Sequence, residues 1–61
     1  KEMLEEGRKA EADTIERYKI RKEQAEELGL VELSIKLDDM IADETHHLEE
    51  FDRLLKDPSF N

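Results

Sequence analysis

No cysteine occurs in this chain, which rules out disulfide bridges and thiolate metal staples as sources of stability. Basic residues are the next shortage: 10 Lys and Arg stand against 18 Asp and Glu, for a net charge of −8. A surface this negative disfavours nucleic acid and anionic membranes, and it makes cations the natural ligands. Long apolar runs are missing too. None approaches the roughly 18 residues of a membrane span, and no charged-then-apolar segment of the signal type opens the chain. These absences together point to a cytoplasmic protein. Core-forming material is also short, at 36% of 61 residues. Below roughly 70 residues a single core supplies no more than about 3–5 kcal/mol, so stability is expected from a partner, a bound cation, or both. Lys1 stands first in place of a methionine, and further residues upstream are the expectation.

Helix breakers are as scarce as cysteines. Between Lys1 and Leu28 the sole breaker is Gly7, and between Leu30 and Lys56 there is none. Glu, Lys, Leu, Ala and Arg dominate both stretches, and all are good helix formers. The spacing predicts an all-α protein: an antiparallel helical hairpin over residues 1–56, with helices over about 2–28 and 31–56. Gly29 suits a left-handed helix stop at the turn. A short tail over 57–61 follows, because Asp57 precedes Pro58 and is pushed out of helical geometry. Phe60 in that tail is a candidate for docking on a neighbour.

Heptad spacing gives the first helix a narrow seam of Leu4, Glu11, Tyr18 and Ala25, with Gly7, Thr14, Arg21 and Leu28 on the companion positions and Ile15 beside them. The second helix carries a stronger stripe. Leu30, Leu37, Glu44 and Phe51 share one position, Leu33, Met40, His47 and Leu54 the next, and Ile41, Leu48 and Leu55 lie alongside. Met3 and Met40 read as core filler. Three polar residues interrupt these seams. An antiparallel pair folded about Gly29 sets residues equidistant from the turn at one height; Glu11 lies 18 residues before Gly29, His47 lies 18 after it and Glu44 lies 15 after it. At about 1.5 Å per residue the three fall within roughly one turn of each other.

Burying a carboxylate costs several kcal/mol unless it is paired, and a second carboxylate beside it adds repulsion. No lysine or arginine occupies the adjoining seam positions at that level, so a bound cation is the simplest partner. Two carboxylates and an imidazole suit divalent iron, manganese or zinc, with iron and manganese favoured by the oxygen-rich balance. One Glu on a helix and Glu-x-x-His on its neighbour make half of the ligand set of a di-iron carboxylate bundle. Completion asks for a second helix pair, either another copy of the chain in a homo-oligomer or a missing N-terminal half.

EADTIERY (11–18), the AEELGL turn (25–30) and DDMIADETHHLEEFDRLL (38–55) together resemble the ferritin-like superfamily, and in particular the carboxy-terminal helix pair of a bacterioferritin or a related ferritin-like protein. The gap of 33 between Glu11 and Glu44, with the histidine three residues later, is similar to the family's spacing. The resemblance covers about residues 3–56. It implies a ferritin-like four-helix bundle in which Glu11 is a carboxylate ligand, Glu44 bridges two metals and His47 supplies a nitrogen ligand. It also implies Fe(II) oxidation at a di-iron site for iron storage or detoxification. Haem is unsupported, since the residue after Glu44 is Thr45 and the family's haem methionine belongs to the other helix pair.

Blander readings stand beside these. Glu11 alone is an ordinary solvated glutamate, and Glu44 with His47 is an ordinary i, i+3 surface pair, until their seam positions and common level are counted. Tyr18 is a packing residue or a hydrogen-bond partner of a ligand carboxylate. His46 is turned about 100° from His47 and reads as exposed, as does Asp43. A metal-free hairpin that oligomerises or docks on a partner is the alternative function, and it would be expected to carry leucine or isoleucine where Glu11, Glu44 and His47 stand. A fragment of a di-manganese or di-iron catalase or oxygenase is the third.

Overall fold

A computed structural model describes residues 2–57 of the chain as two antiparallel helices, α1 (Glu2–Glu27) and α2 (Val31–Lys56), and nothing else but the turn between them. The protein is therefore an all-α helical hairpin. It measures 47 × 15 × 10 Å. Of the tail only Asp57 falls among the described residues; Phe60 lies outside them.

Gly29 makes the turn. Its φ of +71° lies in the left-handed region, where a Cβ would be strained. The Leu30 N–H donates to the Ala25 carbonyl at 2.8 Å and the Gly29 N–H to the Glu26 carbonyl at 3.1 Å, the two bonds of a Schellman stop. At the far end Asp57 is extended (ψ 116°) and closes α2 by donating its N–H to the Leu54 carbonyl at 3.2 Å. Arg53 and Lys56 sit in that last turn, where the helix dipole favours cations.

The heptad seams do meet, but they bury little. Among the described residues only Ile15, Ala25 and Leu37 are buried, at 6%, 2% and 4% exposure. Leu28, Leu30, Leu33, Met3 and Met40, expected in the seam or as core filler, are exposed, and so is Arg21. The reason is geometric. Two helices touch along one line each, so residues one heptad position away from that line have no third surface to cover them.

The two edges of the contact line are finished differently. On one edge Arg8 pairs with Asp52, and Lys22 pairs with Asp38 at 3.0 Å, the two pairs standing roughly four turns apart along α1. Both pairs bridge the helices on that edge. The opposite edge carries Leu33, Met40, His47 and Leu54, spaced by seven along α2, and among the described residues no Lys or Arg pair crosses it. Near the open ends of the helices the Phe51 ring lies over the bare Cα of Gly7, where a Cβ would come within 2.9 Å of Cε1 and Cζ.

Candidate metal centre

Glu11 faces Glu44 and His47 across the helix contact. The carboxylate and imidazole ligand atoms of all three lie within 4.8 Å of one another. His47 Nδ1 is 3.7 Å from Glu44 Oε1 and 3.8 Å from Glu11 Oε2. These separations are too long for hydrogen bonds. They match donors sharing one ion, since ligand atoms at about 2.0–2.2 Å from a divalent cation stand roughly 3–4 Å apart.

Burial differs across the trio. Glu11 and Glu44 keep 24% and 22% of their side-chain surface, while His47 keeps 56%. His47 was expected inside the hairpin; it lies at the uncovered edge instead, because its stripe is the one α1 does not reach. An open groove beside it is lined by Glu11, His47, Glu50, Phe51 and Leu54. Of these, Glu50, Phe51 and Leu54 were not read as site residues from sequence. Their places three, four and seven residues beyond His47 are the signal that could have found them.

The electrostatics leave the two carboxylates poorly compensated. Glu11 Oε2 is buried and has no hydrogen-bond partner. The Glu11 carboxyl is held above the ordinary carboxylate range, first because a protonated Glu11 can share its proton with Glu44, then through burial and the Glu44 charge, with His47 opposing. Among the described residues the ion pairs of Glu11 and Glu44 run only to His47. The donor set fits a divalent cation: two oxygens and one nitrogen converge, one oxygen lacks any partner, and the like-charged pair is relieved by positive charge between its members.

The other candidates fall elsewhere. His46 is exposed, lies 3.7 Å from Glu50 and is not one of the three converging ligands. Tyr18 is part-buried on the seam and, among the described residues, makes no hydrogen bond to Glu11 or Glu44. Asp43 is exposed. No helix among the described residues is long and apolar enough to cross a membrane. Comparison with protein-family models, with curated proteins and with solved structures finds no match to this chain.

Proposed function

We propose that this hairpin is half of a ferritin-like four-helix bundle that binds Fe(II) and oxidises it for storage or detoxification. The observation that carries this reading is the convergence of Glu11, Glu44 and His47 from two helices to within 4.8 Å, with the buried Glu11 oxygen left without a partner. Glu11 and His47 are suited to hold one ferrous ion. Glu44 is suited to span that ion and a second one, held by an equivalent trio from the completing helix pair. Iron is the substrate here: two Fe(II) ions each give up one electron, and dioxygen takes the two electrons with two protons to leave as hydrogen peroxide. The chain's own part is to gather negative charge that favours the ferric product and to shield the ions along the apolar side of the helices. A cytoplasmic setting goes with this reading, since a reducing compartment supplies ferrous iron.

Anaerobic Fe(II) titration of the chain, followed by admission of air, tests the proposal through ferric absorbance and iron-to-protein stoichiometry. Saturation at one iron per chain, lost in Glu44→Ala, is the expected result. A chain that binds no Fe(II) refutes it. That outcome favours the second reading, a metal-free docking hairpin, which draws support from the exposed Leu28, Val31 and Ile35 near the turn.

A further inference from the structure

Which side of the hairpin takes the completing helices, and what those helices are, can be argued from the two unlike edges. Arg8 with Asp52 and Lys22 with Asp38 close one edge. The opposite edge leaves Leu33 and Met40 exposed in line with His47 and Leu54. Two grooves open along it, one holding Leu33 and Leu28 near the turn, the other holding His47 and Leu54.

The trio sits near mid-length. Glu44 is the fourteenth of the 26 residues of α2, and Glu11 is the tenth of the 26 of α1. A two-fold axis through a mid-length site lets two identical faces overlap along their whole length, whereas a site near one end would leave both copies overhanging. The face available is also large enough. At 47 × 15 Å it presents about 700 Å² in projection, against roughly 800 Å² per partner in a standard interface.

Charge opposes the same contact. Each copy carries −8, and an isologous pair would bring two Glu11 and two Glu44 carboxylates together at its axis, where burial forbids them to stay unneutralised. Apolar surface therefore favours the pairing while the trio resists it until cations arrive.

From these observations we propose that a second copy of this chain docks on the edge lined by Leu33, Met40, His47 and Leu54, and that divalent cations held by the two Glu11, Glu44 and His47 trios switch this docking on. The proposal rests on the metal-binding reading above and adds the partner and the switch. Each cation bound between the copies is ligand for the dimer and not for the separated chains, so mass action draws the equilibrium towards the dimer.

Sedimentation equilibrium of the chain in EDTA and in excess Mn(II) chloride tests this, with loss of the free-Mn(II) electron paramagnetic resonance signal counting bound ions independently. Expected are bound Mn(II) and a dimer dissociation constant lowered at least about tenfold relative to EDTA. Met40→Glu, a change at an exposed position, is expected to abolish the dimer while far-ultraviolet circular dichroism shows the helices retained. Mn(II) bound by a chain that stays monomeric overturns the second copy as partner and leaves the metal reading standing. Equal dimerisation in EDTA and Mn(II) overturns the switch. Absence of bound Mn(II) overturns the switch together with the metal reading beneath it.

Discussion

Glu11→Gln separates the effect of the trio on the fold from the cation binding proposed for it. In the metal-free chain Glu11 holds a negative charge beside Glu44 with a buried oxygen that accepts nothing. A glutamine there removes the charge and supplies an amide N–H able to donate to Glu44. An unsatisfied buried polar atom costs about 1–3 kcal/mol. Glu11 retains 24% of its side-chain surface, so solvent screening reduces the gain to about 0.5–1 kcal/mol. For a domain of this size that corresponds to a rise in Tm of roughly 2–8 °C. The sign follows from linkage. The folded carboxyl binds its proton more tightly than the unfolded one, so Glu11 is least harmful below the ordinary carboxylate range and most harmful above its raised folded value. The advantage of the variant is therefore larger at neutral pH than at about pH 4, where unfolded glutamate is also becoming protonated. Thermal melts followed by circular dichroism in EDTA at both pH values measure it, and Mn(II) affinity of the same variant is expected to fall at the same time. A Tm at neutral pH equal to or below that of the parent chain would refute the claim that the two carboxylates repel each other in the fold.

Three further outcomes follow from the same geometry. Leu37 is one of three buried residues, and truncating such a leucine costs about 2–5 kcal/mol, as much as a core this small supplies; Leu37→Ala should leave the metal-free chain largely unfolded, and a melt within two or so degrees of the parent's would count against the burial described. Gly29→Ala meets no atom within 4 Å, so its penalty is that of a left-handed alanine alone, about 1–2 kcal/mol; an unchanged Tm would show that the turn finds another conformation. Asp52 is held below the ordinary carboxylate range chiefly by its hydrogen bond to Arg8, so its contribution is present at neutral pH and fades as pH falls from the ordinary aspartate range through the lowered value. Asp52→Asn should lower the neutral-pH Tm and flatten the acid limb of a Tm-against-pH profile, and a profile parallel to the parent's would exclude the ion pair as a tie between the helices.

Periodicity and two breakers determine much of this protein before any contact is considered. Sparse glycine and proline, strong helix formers and an intervening Gly29 leave a helical hairpin as the consistent outcome, because helix propensity and the Schellman stop are local properties. The common height of Glu11, Glu44 and His47 was legible for a related reason: in an antiparallel pair, counting from the turn is counting along a ruler of fixed rise. Counting cannot supply rotation. Which side of each helix lies on the contact line depends on how the two cylinders settle against each other, and the settled arrangement sets the Phe51 ring over Gly7 and the Arg8 and Lys22 pairs across the far edge. The heptad stripe placed Leu33, Met40 and His47 in the core. The tertiary arrangement turned them to the open edge, since one neighbouring helix can cover only one line of side chains and the rest of a stripe this wide waits for a surface the hairpin does not itself provide.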